Sequence, residues 1–256
     1  GSLLSEGGTN FVQGSSEYLI VEACEYRRSF LNLKPTHIIV TNIDEDHLDY
    51  YKDLADIHSA FQSFADLLPA NGSLITHNNV LLETAAKKIS TNDIDRDSIK
   101  LSVLGEHNKA NAQLALALGK ELGLDDELAR KGLEMFTGTW RRLEYKGAHK
   151  GGAFYDDYGH HPTEIAATLQ AVRERYPADK FKLITVFQPH LYSRTKMLLE
   201  DFSKSFALAD TICILPIYAS REDDDGTVSS QDLVEMTDNA IYMETFQEVH
   251  KYLDKN

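Results

Sequence analysis

Nine residues, Asp156-Asp157-Tyr158-Gly159-His160-His161-Pro162-Thr163-Glu164, place three carboxylates, a phenol and two imidazoles between a predicted strand and a predicted helix. The preceding Gly152-Ala153-Phe154-Tyr155 is short, partly aromatic and bounded by glycine, which suits a strand. Pro162 suits the first turn of a helix, and Glu164 to Arg175 carries apolar residues at helical spacing. In open α/β sheets, ligands bind outside the carboxyl ends of strands. Titratable groups are costly to bury, so chemistry explains this cluster better than packing; the plain alternative is a solvated helix start.

The remaining pattern alternates. Strands are expected at Tyr18–Cys24, His37–Thr41, Ser73–Thr76, Ile99–Leu104, Phe181–Phe187, Thr211–Leu215 and Ala240–Met243. Helices are expected at Lys52–Leu68, Asn79–Ile89, Asn108–Leu122, Asp125–Met135, Ser193–Leu208, Ser229–Thr237 and Phe246–Leu253, with Ser90–Ser98 as a loop. Strands alternating with helices imply an α/β fold with a mainly parallel sheet and right-handed crossovers. A domain boundary is expected at Thr137-Gly138-Thr139, giving domains over 1–138 and 139–256.

With 256 residues the chain has room for two ordinary α/β domains, and its formal charge of −14 disfavours nucleic acid and anionic membranes as partners. No apolar run approaches the ~20 residues that cross a bilayer. The first residues lack a basic stretch followed by an apolar core, so no secretory signal is read. Cys24 and Cys213 both fall in expected strands and read as buried thiols of a cytoplasmic protein.

Several loops carry candidate chemistry. Glu22 closes the first expected strand, and Thr41–Asp49 follows the second with carboxylates and His47. Two neighbouring strand ends with such ligands suit either a metal–phosphate site or an acidic loop capping the next helix. Gly105–Asn111 opens a helix, where Asn108 is either an N-cap or a contact to a purine edge. Arg141 and Arg142 follow the boundary and suit a phosphate or surface ion pairs. His190 and Arg194 follow the Phe181–Phe187 strand. Arg194 suits a substrate carboxylate, with help from backbone N–H groups at the helix start. Ile217–Glu222 ends the next strand on the same edge, so one cleft is expected there. Asp223-Asp224-Asp225-Gly226 reads as a solvated acidic turn.

These strings, in this order, resemble the Mur ligase family: EACEY at Glu22–Tyr26, SFL at Ser29–Leu31, TNIDEDHLDYY at Thr41–Tyr51, GEHNKANA at Gly105–Ala112, GTWRRLEYKG at Gly138–Gly147, DDYGHHPTEI at Asp156–Ile165, FQPHLYSRT at Phe187–Thr195 and IYASRE at Ile217–Glu222. The QPHLYSRT loop is most similar to the members that add L-alanine. The resemblance implies a partial P-loop-type ATPase domain followed by a Rossmann-like α/β C-terminal domain. It implies ATP and Mg²⁺ as cofactors, and UDP-N-acetylmuramate and L-alanine as substrates. Glu22 and His47 would hold Mg²⁺. His107, Asn108 and Asn111 would contact adenine, Arg142 a phosphate and Asp157 the ribose. His160, His190 and Arg194 would line the amino-acid site, with His160, Arg142 and Arg194 closest to the chemistry.

The sequence departs from the family pattern. A full-length member begins with a UDP-binding domain and a glycine-rich phosphate loop ending in Gly-Lys-Thr. No G-x-x-x-x-G-K-[ST] occurs in these 256 residues, and Gly7-Gly8 lies downstream of where that loop belongs. The stretch between Ser90 and Leu104 is short for the pattern, and a glycine-rich terminal segment expected after Asn256 is missing. The expectation is a fragment that is inactive alone. A binding fragment without catalysis is the competing class. A dinucleotide oxidoreductase is disfavoured because no G-x-G-x-x-G follows an expected strand. A phosphatase built on Asp44, Asp46 and His47 leaves Gly105–Asn111 and Arg141–Arg142 unexplained.

Overall fold

A computed structural model describes residues 9–48 and 50–256; Gly7, Gly8 and Asp49 lie outside them. The chain forms two compact units that divide between Glu144 and Tyr145. Each contains a three-stranded parallel sheet with helices packed against it, as the alternating pattern predicts.

In the first unit, β1 (His37–Val40), β2 (Ser73–Thr76) and β3 (Lys87–Ser90) pair in parallel, in that spatial order. The crossover α1 (Leu54–Ala65) starts where the Asp53 carboxylate accepts the Asp56 N–H at 2.8 Å. Its buried residues Ile57, Ala60, Phe64 and Ala65 recur at helical spacing. Successive strand residues face opposite sides of a sheet. Leu74 therefore joins the α1-side core with Phe30, Ile38, Val40 and Phe64. Its neighbour Ile75 meets Leu114 and Ala117 of α2 (Glu106–Glu121). α3 (Asp126–Met135) contributes Ala129 and Leu133 to a further cluster with Ile99, Ala112 and Leu116.

The second unit repeats this logic. β4 (Glu144–His149) and β5 (Gly152–Asp156) form a two-stranded ribbon. Lys150 and Gly151 turn it at φ values of 50° and 83°, as a type I′ hairpin turn requires. β6 (Ile184–Phe187), β7 (Thr211–Ile214) and β8 (Ala240–Tyr242) pair in parallel, with β7 central. Ile212 and Ile214 pack with Ile165 and Leu169 of α4 (Pro162–Arg175), Phe202 of α6 (Leu199–Ser205) and Leu233 of α7 (Ser230–Met236). Cys213 points the other way, to Val249 and Leu253 of α8 (Phe246–Lys255). The short α5 (Tyr192–Met197) joins β6 to α6.

Four expectations are corrected. Tyr18–Cys24 is not a strand: it carries no ladder pairing, and Leu19 and Ile20 are 80% and 90% exposed. Cys24 is exposed there, while Cys213 is buried, and both are free thiols. Asn79–Ile89 is not a helix. Val80 and Leu82 enter the core on irregular backbone, and Gln62 of α1 bonds both the Glu83 N–H and its carbonyl. That outside supply of partners removes the need for helical bonding; Lys87–Ser90 then pairs with β2 as β3. Ile99–Leu104 has no ladder partner, and Ile99 is instead buried against α2 and α3. Finally, the helix expected over Ser193–Leu208 breaks at Leu198 (φ −106°, ψ 20°) into α5 and α6.

Leu74→Ala and Ile214→Ala should each cost about 2–5 kcal/mol of stability in urea denaturation. Ile20→Ser should cost less than about 0.5 kcal/mol, because its side chain already faces water.

Candidate functional site

In the first unit the loop after β1 turns back sharply at His47, which adopts a left-handed φ of 54° and whose N–H donates to Asp46 Oδ1 at 2.7 Å. This brings His47 Nε2 to 3.3 Å from Glu25 Oε1 and 3.7 Å from Asp46 Oδ2. The Tyr26 ring lies 4.7 Å from the His47 ring, and the Tyr51 hydroxyl donates to the Glu25 carbonyl. The hydrogen bond from His47 holds the Glu25 carboxyl below its ordinary pKa, against an opposing push from burial. Ligand atoms of Glu25, Asp46 and His47 all lie within 4.8 Å of one another, a spacing suited to a divalent cation with water completing its shell. Among the described residues this is the group of three with that geometry. Glu22, which the resemblance pairs with His47, is not one of these three.

The carboxyl ends of β2 and β3 are tied together by His77, whose Nδ1 lies 2.8 Å from Thr91 Oγ1. Burial, followed by the charge of Arg96, pushes the His77 pKa down. The first two turns of α2 carry His107, Asn108 and Asn111. Its N-cap is Gly105 at φ 99°, so Asn108 is not the cap. The Asn108 amide instead donates to the Leu104 carbonyl at 2.6 Å, which fixes its side chain and leaves its Oδ1 as a potential acceptor. His107 and Asn111 are exposed, four residues apart on one helix face. Arg142 sits in a turn between Arg141 (φ 56°) and Leu143 (φ 46°), and its N–H donates to the Thr139 carbonyl at 3.2 Å. Left-handed backbone at two non-glycine residues is strained and tends to mark functional turns.

In the second unit the nine-residue cluster forms the connection from β5 to α4. Asp157 Oδ1 accepts the Gly159 N–H at 2.7 Å. A Cβ at position 159 would lie 2.7 Å from that oxygen, so any larger residue must push the Asp157 carboxylate aside. His161 caps α4, and Glu164 Oε2 accepts the backbone N–H of His160 at 2.9 Å and of His161 at 3.3 Å. The His160 ring is held with Nδ1 3.1 Å from the Tyr158 carbonyl.

The loops after β6 and β7 are joined beyond the strands themselves. His190 and Tyr218 form a parallel bridge, with Leu191 N–H to the Tyr218 carbonyl at 3.0 Å and Tyr218 N–H to the Pro189 carbonyl at 2.8 Å. The two rings stack at 5.6 Å. Leu191 is buried at φ 71°, a strained setting for a branched side chain. Burial pushes the His190 pKa down, and the positive charges of Arg194, His160 and Arg221 push it further, with Glu222 opposing. His160, His190 and Arg194 thus converge as expected, joined by Arg221, at the carboxyl edge of the β6–β8 sheet. The N–H groups at the start of α5 do not await a ligand as expected: Glu222 accepts Ser193 N–H at 3.0 Å.

Some participants escaped the sequence reading. Glu222 bonds Ser193 across 29 positions, which no local spacing reveals. The capping role of Glu164, itself part of the nine-residue cluster, was recoverable from its spacing from His161.

This is a two-unit α/β protein with polar ligand-type loops at both sheet edges, and comparison with known proteins gives it a family. The pattern described as Mur ligase middle domain matches residues 9–95, and that described as Mur ligase, glutamate ligase domain matches residues 141–255. The chain belongs to the Mur ligase family. The UDP-N-acetylmuramate--L-alanine ligase of Agathobacter rectalis is 39% identical over 293 positions, which cover 100% of this chain and 63% of that protein. The enzyme of that name from Caldanaerobacter subterraneus subsp. tengcongensis is 39% identical, over 97% of this chain and 62% of its own length. The chain therefore spans less than two thirds of these relatives. The first alignment exceeds the 256 residues of the chain, so the relative holds extra residues inside the matched span. Among solved structures, the UDP-N-acetylmuramate-alanine ligase of Thermotoga maritima superposes with a TM-score of 0.66 at 25% identity, over 88% of this chain and 54% of that one. A Mycobacterium tuberculosis folylpolyglutamate synthase, complexed with ADP and AMPPCP, shares the fold with a TM-score of 0.64 at 16% identity, over 89% and 58%.

Gly159→Ala should displace the Asp157 carboxylate and cost about 1 kcal/mol or more, read by thermal denaturation. His190 supplies a pH signature. Its native pKa lies below the ordinary 6.5, so between the two values the unfolded chain binds a proton that the folded chain refuses. Stability should then fall as pH drops below 6.5, and His190→Gln should flatten that window in urea melts at stepped pH.

Proposed function

We propose that the chain is the ATP- and amine-binding portion of a cytoplasmic ligase that joins L-alanine to the muramyl carboxylate of UDP-N-acetylmuramate. The observation that carries this reading is the convergence of His160, His190, Arg194 and Arg221 at one sheet edge, a cationic nest in a chain of net charge −14. The names of the relatives supply the substrates.

In this reading Arg194, with Arg221, takes the carboxylate of the incoming amino acid, since guanidinium matches carboxylate geometry. His190 stays neutral and packs on Tyr218, which orients the pocket wall. His160 lies where it can accept the proton that the amine sheds as the amide forms. An α-amine with a pKa of roughly 8 is already partly deprotonated at neutral pH, so this contribution is modest. The preceding step makes an acyl phosphate and ADP, and phosphate leaves when the amine attacks. His107, Asn108 and Asn111 present an adenine-recognition face, Arg142 serves a phosphate and Asp157 a ribose hydroxyl. His47, Glu25 and Asp46 would hold Mg²⁺, with Glu22 close by in sequence. When bound, that ion offsets negative charge at the transferring phosphoryl group.

A second reading is a nucleotide- or amino-acid-binding fragment without turnover. The observation favouring it is that no G-x-x-x-x-G-K-[ST] occurs in the 256 residues, so ATP phosphates lack the backbone cradle and lysine of that loop. ADP release from ATP, L-alanine and UDP-N-acetylmuramate, measured beside calorimetry with ATP–Mg²⁺, separates the two. The expected outcome for these residues alone is binding heat without ADP. Robust ADP formation overturns the inactivity, and absence of binding to any of the three substrates overturns the ligase reading.

A further inference from the structure

We propose that Glu222 is a positioning residue for the amino-acid pocket: from the loop after β7 it caps α5 and fixes the turn that presents His190 and Arg194. The inference rests on the pocket reading above and adds a residue that no part of that reading uses.

The N-cap of α5 is Leu191, which has no polar side chain, so the helix lacks a side-chain cap of its own. The first N–H groups of a helix need acceptors from elsewhere. Glu222 provides them. One oxygen accepts the Ser193 N–H at 3.0 Å, the other accepts the Ser193 hydroxyl at 2.5 Å, and the Tyr192 N–H also donates to this carboxylate. Burial opposes the charge on Glu222, but the hydrogen bonds from Ser193 and Tyr192 together prevail and hold its pKa below the ordinary value. A carboxylate at a helix start is further favoured by the helix dipole.

The loop that carries Glu222 is itself held. Glu222 N–H donates to the Ala219 carbonyl at 3.0 Å, and Ser220 sits at a left-handed φ of 55°. The Tyr192 hydroxyl makes a hydrogen bond with Asp224, a second tie to the same loop. On the near side, the His190–Tyr218 bridge fastens the residues just before α5. Arg194 therefore stands on a turn anchored at both ends to the β7 loop. The carboxylate also occupies the α5 N–H groups, so a bound amino acid must address Arg194, His190 and Arg221 through their side chains.

Three measurements on Glu222→Gln, Glu222→Ala and Ser193→Ala test this. Amide exchange at Tyr192 and Ser193 should accelerate about tenfold or more in both Glu222 variants, as loss of a charged hydrogen-bond acceptor predicts, with Cys213 and Ile214 unchanged. In Glu222→Gln the NMR titration midpoint of His190 should move down, because the carboxylate that raises it is gone. L-Alanine affinity, measured by calorimetry, should fall about tenfold in Glu222→Ala and less in Ser193→Ala, which keeps the backbone bond. Unchanged exchange in both Glu222 variants overturns the cap. Faster exchange with unaltered L-alanine affinity overturns the positioning role. If the unsubstituted chain binds no L-alanine, the pocket reading fails, and the exchange and histidine data still decide whether Glu222 holds the turn.

Discussion

Parallel pairing is the constraint on which the rest depends. When β6, β7 and β8 run in one direction, the loops that follow them emerge at one edge, and the same holds for β1, β2 and β3. The central strands make this possible. β2 and β7 are buried along their whole length, with alternate residues feeding cores on opposite faces. Burial on both sides leaves those strands only small hydroxyl side chains, Ser73, Thr76 and Thr211, among their polar positions, so the charged groups stand where the strands end.

At those ends, charge does the sorting. The chain is acidic overall, yet the connections after β5, β6 and β7 bring the charges of Arg194, His160 and Arg221 to bear on His190. Like charges at close range are unfavourable, and His190 meets the problem by staying neutral. An incoming carboxylate would relieve that repulsion. In the first unit the balance is inverted: Glu25 and Asp46 converge with one imidazole, a set that suits a cation. The two kinds of loop occupy separate units.

Much of this was legible in the sequence. The periodicity of Leu54–Ala65 and Pro162–Arg175 and the compact runs at β1, β2 and β7 read correctly, because each has a buried face that local spacing records. The grouping of His160, His190 and Arg194 followed from strand-end logic alone. What failed had tertiary causes. Tyr18–Cys24 has the composition of a buried strand but no ladder, and nothing in those residues states whether a neighbour is present. Asn79–Ile89 has apolar residues at helical intervals, but Gln62 and His58 of α1 serve its backbone from outside. The left-handed turn at His47 brings its ring to Glu25, a contact between distant positions that no local spacing records. The bond between Glu222 and Ser193 was hidden for the same reason: Ser193 belongs to α5 and Glu222 to the loop after β7.

The central claim is that the loops after β5, β6 and β7 form one amine-substrate pocket. Chemical-shift mapping by NMR during L-alanine titration addresses it most directly. The account predicts that signals of His160, His190, Arg194 and Arg221 shift together along one saturating curve, while those of α8 stay still. Shifts that scatter over the surface without saturating, or that leave these four residues unmoved, would contradict it.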